Sequence, residues 1–179
     1  MAGLTAYDKF IQQALKYGFS LFGLPKTGQT IVYSAEDDGD IQAGYPKSGA
    51  RFVDNGDGTI TDKATGLMWP ADSNGVGCNG GASKTWTTAM TWARGLVFAG
   101  YSDWRLPNVY ELQSIINYAR INPCIDTTFF LNTKDKYYWS STTKLDQTTY
   151  KMPVHFGAGY SYWGSYACSN YLRAVRGGI

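Results

Sequence analysis

The segment from Gly157 to Tyr171 constrains the fold most, because it contains no Lys, Arg, Asp or Glu and is mainly Tyr, Ser, Gly, Trp and Asn. Tyr and Trp offer large contact areas with few rotatable bonds, whereas Ser, Gly and Asn adapt their hydrogen bonds, as in antibody binding loops. The residues that follow, Leu172 to Arg176, alternate as a strand does. The segment therefore predicts either an uncharged binding surface closed by a strand, or tyrosines that line a Gly-rich β-sheet.

The composition of the whole chain favours a loop-rich α+β fold over a helical bundle, since 16% of its residues are aromatic, 17% are charged and 21 are glycine. A length of 179 residues suits one domain with an N-terminal appendage. The net charge of +2 does not favour nucleic acid or a membrane surface as a partner. No apolar stretch reaches the roughly 20 residues of a membrane span.

The N-terminal residues predict an amphipathic helix over 6–22, with Phe10, Ala14 and Leu15 on one face. Lys and Gln side chains interrupt this stretch, so we expect either synthesis without a signal peptide or a leader already removed. We assign residues 1–23 to assembly or attachment and residues 24–179 to a ligand-binding domain. The pattern LPxTG at 24–28 precedes that domain, and we interpret it as a turn rather than a sorting signal.

The Asn-Gly-Asp-Gly run at 55–58 predicts a hairpin between strands at 51–54 and 59–62, followed by a strand at 67–69. A calcium site is the minor alternative, because aligning Gly58 with the conserved glycine of an EF-hand puts Val53 at the first ligand position and no Glu closes the loop. We therefore predict no metal site.

Two helices are predicted in the middle of the chain, followed by strands at 137–142 and 150–156. The first begins near Ser83 or Thr85 and ends at Gly100, and the second runs from Val109 to Arg120 behind an Asn108–Glu111 capping box. The residues expected to face inward are Trp86, Ala89, Met90, Ala93 and Val97 in the first helix, and Leu112, Ile115, Ile116 and Ala119 in the second.

Cysteine and histidine usage does not favour catalysis or a bound zinc ion. The spacing of Cys78, Cys124 and Cys168 does not match a metal site. The sequence does not decide whether Cys78 and Cys124 form a disulfide, and Cys168 is expected to be a free thiol. His155 is a lone strand histidine, for which a structural or exposed position is expected. Because no nucleophile–base pair is evident, we predict no enzyme activity and no cofactor.

The segment Tyr101-Ser-Asp-Trp-Arg-Leu-Pro-Asn108, followed by Glu111-Leu112, is typical of a strand-to-helix junction, with an ion pair expected between Asp103 and Arg105. It resembles the WRLPT-x-x-E-W segment of formylglycine-generating-enzyme-like proteins, a branch of the C-type lectin-like folds. The chain more closely resembles the Lcl C-terminal-like domain family, a bacterial and phage family named after a collagen-like adhesin. Its matching segments are 24–29, 37–40, 51–52, 54–59, 61–62, 65–69, 99–108, 125–126, 129–130, 138–142 and 173–178.

The resemblance implies a C-type lectin-like α+β fold, with two helices packed on short antiparallel strands, that binds a ligand and often forms a trimer on a stalk. Variable proteins of diversity-generating retroelements, including phage tail-tip adhesins, share this fold and hypermutate a C-terminal cassette. Residues 160–170 resemble such a cassette, and Leu172 to Gly178 resemble the fixed strand behind it. The EPN and WND motifs and the paired copper-binding cysteines of other branches are absent, so neither calcium-bridged sugar binding nor copper oxidation is implied.

The function that follows is a receptor-binding adhesin module on a phage tail fibre, with a cell-surface or secreted location if a signal peptide was removed. Its expected partners are a host-surface glycan or protein and further copies of itself, with a trimer favoured. The alternative is a structural or assembly component of a virion or stalk with no diversified binding site. The predicted ligand-binding residues are Tyr160, Tyr162, Trp163, Ser165, Tyr166, Ser169 and Asn170, with Tyr137 and Trp139 as neighbours.

Overall fold

The computed structural model describes residues 23–47 and 49–177, so the predicted helix at 6–22 lies outside the described residues. The described chain is a mixed α/β structure with few helices and several small antiparallel sheets. In chain order its elements are α1 (Asp38–Ile41), a 3₁₀ turn (Gly49–Arg51), β1 (Phe52–Asp54), β2 (Thr59–Asp62), β3 (Leu67–Pro70), a kinked 3₁₀ segment (Val76–Gly81), β4 (Lys84–Thr85), α2 (Trp86–Arg94), α3 (Val109–Ser114), β5 (Tyr137–Tyr138), β6 (Tyr150–Lys151), β7 (Val154–His155), β8 (Gly164–Ser165), β9 (Ser169–Asn170) and β10 (Arg176–Gly177).

The largest sheet has the strand order β1-β2-β3-β10, and every neighbouring pair in it is antiparallel. The predicted hairpin is confirmed, with Phe52 opposite Asp62 and Asp54 opposite Ile60. Its turn carboxylates serve the backbone, since Asp54 accepts from the Gly56 N–H and Asp57 accepts from the Thr59 N–H. Local hydrogen bonding therefore accounts for the acidic residues that had suggested calcium.

The C-terminal residues close this sheet over a shorter length than predicted. Of the C-terminal residues up to 177, where the described chain ends, Arg176 and Gly177 pair with β3, whereas Leu172 to Val175 run through the interior. The predicted alternation is wrong there, because Leu172, Arg173, Ala174 and Val175 are all buried. The buried Arg173 guanidinium donates hydrogen bonds to the Pro70 carbonyl and to the hydroxyls of Ser73 and Thr133. These hydrogen bonds compensate for its burial.

Both central helices begin where the sequence predicts and end earlier. Helix α2 ends at Arg94, so Val97 lies beyond it and is exposed. Helix α3 has the predicted capping box but stops at Ser114, because the Ser114 carbonyl accepts from Lys47 and Arg51 instead of from the Tyr118 N–H. The Tyr118 N–H donates to the Thr27 carbonyl. Ile115 and Ile116 are buried as predicted, whereas Ala119 is exposed.

The segment 24–28 is not the turn that its LPxTG pattern suggested. Pro25 forms a single parallel bridge with Tyr45, and the Lys26 N–H donates to the Tyr45 carbonyl over 2.8 Å. The segment is therefore extended and lies against the chain that follows α1.

The strand-to-helix junction is stabilised by two ion pairs, neither of which is the predicted Asp103–Arg105 pair. Arg105 donates to both carboxylate oxygens of Glu111 at 2.7 and 2.6 Å, and its backbone pairs with Val175. Asp103 instead pairs with Arg176 of β10. The first pair joins the junction to α3, and the second joins it to β10. The junction segment 101–108 therefore lies beside the strand that closes the sheet.

Across residues 23–47 and 49–177, the buried apolar side chains form one large hydrophobic cluster and two smaller ones. The large cluster packs β1–β3 against α3 and against Phe130, Tyr138 and Phe156. A second cluster forms around Ala89 and Ala93 of α2 and includes Trp139. Trp104 of the junction motif is the centre of the third. Within the described residues, no helix is long and apolar enough to cross a bilayer.

The three cysteines are free thiols, so the disulfide considered between Cys78 and Cys124 does not form. Both of these side chains are buried, and the Cys124 thiol donates to the Phe156 carbonyl. Burial raises the pKa of both thiols, that of Cys124 to about 11, which keeps them protonated and unreactive. Cys168 is a free thiol, as predicted, and it is exposed.

Candidate ligand-binding surface

Four aromatic rings from three separate segments meet at the start of the predicted binding segment, and we call Tyr137, His155, Tyr160 and Tyr162 the aromatic cluster. The Tyr137 ring lies 5.0 Å from that of Tyr162 and 4.4 Å from that of His155, centroid to centroid. The His155 and Tyr160 rings are stacked 5.3 Å apart. The hydroxyls of Tyr137 and Tyr160 share a hydrogen bond of 2.7 Å.

Strand pairing brings these rings together. β5 and β7 are antiparallel with Tyr137 directly opposite His155, and cross-strand neighbours of this kind have their side chains in contact. The chain then turns back, so that Ser161 bridges Val154 and the His155 N–H donates to the Tyr160 carbonyl. Gly159 is required in this turn, since its φ is +79° and a Cβ would lie 2.7 Å from the Tyr118 ring.

The four large aromatic side chains predicted to bind are all exposed, from 40% for Trp163 to 48% for Tyr160. We call them, together with Tyr137, the aromatic surface. Their exposure shows that these four side chains do not line the interior of a sheet, where they would be buried. Among the described residues, Trp163 and Tyr166 make no ring contact with the aromatic cluster.

The second half of the segment is held by its backbone. β8, which contains Ser165, pairs with β6, and β9, which contains Ser169 and Asn170, pairs with β4. Between them, the Tyr166 N–H donates to the Thr149 carbonyl, and the Tyr166 carbonyl accepts from the Trp86 N–H. The side chains of this half are thus presented from a fixed main chain.

One expected member of the site lies elsewhere, and one member was not expected. Trp139 is fully buried beside α2 and donates from its indole N–H to the Lys84 carbonyl, so its assignment as a neighbour of the site is wrong. His155 joins the aromatic cluster, although a lone strand histidine carries no signal for this in sequence. Only the register between β5 and β7, which places it opposite Tyr137, reveals the contact.

The hydrogen bond between the hydroxyls of Tyr137 and Tyr160 changes the pKa of Tyr137. The hydrogen bond to Tyr160, together with partial loss of hydration, raises the pKa of Tyr137 to about 12. We expect Tyr160→Phe to lower the pKa of Tyr137 towards its ordinary value of about 10, because the hydroxyl partner is lost. NMR titration of labelled tyrosine rings measures this change, with Tyr110→Phe, at an exposed position on α3, as the control. An unchanged Tyr137 pKa in Tyr160→Phe would contradict the contact.

Metal-binding groups are not gathered at this surface. No group of three or more His, Cys, Asp or Glu side chains within the described ranges is placed to hold a metal ion. Lys151 of β6 has its ammonium 4.0 Å from the centre of the Trp86 ring and donates to the Thr148 carbonyl. The groups that the predicted binding residues present are rings, hydroxyls and an amide.

This geometry defines a mixed α/β protein that exposes an uncharged aromatic surface on short, mutually paired strands. The family model described as the Lcl C-terminal domain matches residues 58–176, which is more than half of the chain. The chain belongs to the Lcl C-terminal domain family, as its motifs predicted. The motif segments that end before residue 58 lie outside this match. Among curated proteins, none matches the chain.

Proposed function

We propose that this chain is a receptor-binding module on a C-type lectin-like scaffold, and that it binds through the aromatic surface. One observation carries the proposal: the segment from Gly157 to Tyr171 exposes four large aromatic side chains while its main chain is paired with β4, β6 and β7. Exposed aromatic anchors on a rigid backbone lose little conformational freedom on binding, and such residues dominate interface energetics.

The absence of charge within this segment favours a ligand recognised by stacking and neutral hydrogen bonds. Tyr and Trp rings cover the apolar face of a sugar ring or an apolar patch on a protein, while Ser165, Ser169 and Asn170 supply polar selectivity. The proposed partner is therefore a glycan or protein on a host surface. We propose binding and not catalysis, on a phage tail or at a cell surface.

Oligomerisation fits a surface of this kind, because several weak sites on one particle raise the overall avidity. We propose a homotrimer, as the family resemblance implies, with residues 1–23 as the attachment segment. The size of the assembly is measured by light scattering of the full chain, and a monomer at micromolar concentration would contradict this part of the proposal.

The test of binding compares the wild-type chain with the triple variant Tyr162→Ala, Trp163→Ala, Tyr166→Ala. Both are applied to a glycan microarray and to a panel of intact bacterial cells, with and without protease treatment of the cells. Retention by the wild type alone supports the proposal, and sensitivity to protease separates a protein receptor from a glycan. Equal retention of both chains, or loss of assembly in the variant, would instead favour a structural component of a virion or stalk.

Diversification of residues 160–170 is the finer part of the proposal. The exposure of Tyr160, Tyr162 and Tyr166 supports it, since side chains outside the core tolerate replacement. The decisive observation is a near-copy of the codons for residues 157–178 that differs only at adenines and lies beside a reverse transcriptase gene. Without such a copy, the surface has one fixed specificity.

A further inference from the structure

A concave site lies apart from the aromatic surface. It is a cavity of about 260 Å³, and three segments line it through Lys26, Gly28, Gln29 and Thr30, through Gln42, Pro46 and Lys47, and through Asn117 and Ala119. The volume is that of a handful of water molecules or one small anion. Lys26 and Gly28 of the LPxTG pattern belong to this wall, so a motif with no part in the proposed receptor site lies at this cavity.

Lys47 brings a buried positive charge to the cavity. Its side chain is only 9% exposed, and its ammonium donates to the Ser114 carbonyl over 2.7 Å. The charged groups that face it are Arg51 and Asp62, but they are paired with each other through two hydrogen bonds. Within the described residues, no carboxylate forms an ion pair with Lys47, and Lys26 adds a second cation to the same wall.

Asn117 supplies a second donor. It is 6% exposed, and its side-chain oxygen accepts from the Ala119 N–H, so its amide nitrogen is the free end. Among the described residues, no acceptor takes that N–H. Gly28 makes room for both groups, because a Cβ there would lie 2.2 Å from the Asn117 Oδ1 and 3.2 Å from the Lys47 Cγ.

The cavity opens towards an apolar groove. The groove, of about 390 Å³, shares Gln29, Thr30 and Ala119 with the cavity, and continues along Tyr118 and Ile121. Both of these side chains are more than half exposed. A charged end and an apolar end in adjoining concavities match a ligand with an anionic head and an apolar body.

We propose that the cavity binds the oxyanion group of a small organic acid, with Lys47 and Asn117 as its donors and with the ligand body against Tyr118 and Ile121. The site is separate from the receptor surface, so it stands whether or not that surface binds a glycan. Charge-assisted hydrogen bonds from a buried ammonium to a carboxylate or sulfate oxygen are stronger than neutral ones, which suits an otherwise unneutralised cation.

The state of Lys47 makes this binding dependent on pH. Burial, reinforced by the Arg51 charge and partly offset by Asp62, lowers the pKa of Lys47 to about 7. A bound anion favours the protonated amine, so the complex raises that pKa. Affinity then falls by up to about tenfold for each pH unit above it, because binding must be accompanied by uptake of a proton.

The experiment follows the side-chain NMR signals of labelled lysine at constant ionic strength, on the acid side of the Lys47 pKa. Acetate and inorganic sulfate probe the head group alone, and benzoate probes a carboxylate with an apolar body. We expect a saturable shift of the Lys47 signal, tightest for benzoate, and a loss of at least about tenfold in affinity in Lys47→Met. The matched control, Lys136→Met, removes an exposed lysine and should leave the affinity unchanged.

Lys47→Met is expected to fold, because it removes a desolvated charge, and Asn117→Ala gives a second variant with the ammonium intact. A shift that is linear in anion concentration, or equal in the wild type and Lys47→Met, would overturn the proposal. Equal affinity for acetate and benzoate would overturn the role of the groove. A pKa of Lys47 that does not rise in the presence of bound benzoate would overturn the direct contact.

Discussion

Asp62→Asn is expected to lower the free energy of unfolding by about 3–5 kcal/mol, because it leaves the Arg51 guanidinium buried without a counter-charge. Both side chains of this pair are completely buried, and Arg51 donates to the two carboxylate oxygens at 2.7 and 2.5 Å. Asp62 also accepts from the Ala64 N–H and the Thr65 hydroxyl. Urea denaturation followed by tryptophan fluorescence measures the change.

Two further variants separate this effect from a general effect of losing a charge. Asp103→Asn breaks the exposed pair with Arg176 and should cost no more than about 1 kcal/mol. The double variant Arg51→Met, Asp62→Leu removes both buried charges and should recover much of the stability lost in Asp62→Asn. A cost below 1 kcal/mol for Asp62→Asn would show that the pair is not buried in solution.

Trp139→Ala is expected to lower the free energy of unfolding by about 3–5 kcal/mol, which is the second large effect. The Trp139 ring is fully buried against Ala89, Ala93 and Leu172, and its N–H donates to the Lys84 carbonyl. Truncation leaves a cavity beneath α2 and an unpaired carbonyl at β4. The same denaturation experiment measures it.

The matched control is Trp163→Ala, which makes the same substitution at a side chain that is 40% exposed. We expect Trp163→Ala to change the free energy of unfolding by no more than about 0.5 kcal/mol, since surface positions without special contacts tolerate replacement. Similar costs at the two positions would mean that Trp163 is part of the core, and would remove it from the binding surface.

Local patterns in the sequence were sufficient for the features that depend on near neighbours. The Asn-Gly-Asp-Gly turn and the Asn108–Glu111 capping box formed as expected, because all their hydrogen bonds join residues within a few positions of each other. The composition of the C-terminal segment suggested exposed tyrosines without excluding tyrosines that line a sheet, and the family resemblance favoured the surface.

Features that depend on distant segments could not be predicted in this way. Helix α3 stops at Ser114 because Lys47 and Arg51 occupy its carbonyl, although the apolar spacing continues to Ile116. Trp139 was expected beside the binding residues, as Tyr137 was, but β5 ends at Tyr138, and the alternation of faces along a strand does not extend to Trp139.

In the candidate site, too, some residues were predicted from the sequence and others were found only in the structure. Tyr160, Tyr162, Trp163 and Tyr166 were predicted from the composition of the segment together with the family resemblance, and all four are exposed. His155 could be recognised only from its position opposite Tyr137 in the β5–β7 pair. The Lys47 cavity could not be predicted from the sequence, because the residues that line it come from three segments, from Lys26 at one end to Ala119 at the other.

The central claim is that the aromatic surface binds a ligand without supporting the fold. The most direct measurement uses a glycan or receptor that retains the wild-type chain in the array or cell experiment. The dissociation constant of the Tyr162→Ala, Trp163→Ala, Tyr166→Ala variant is divided by that of the wild type, and the unfolding temperatures of both chains are measured as well. A variant at the exposed Tyr33 and Tyr110, both changed to Ala, serves as the control. We predict a ratio of at least about a hundred with little change in unfolding temperature, since aromatic hot spots are each worth about 2 kcal/mol or more. A ratio near one, or a variant that no longer folds, would contradict the claim.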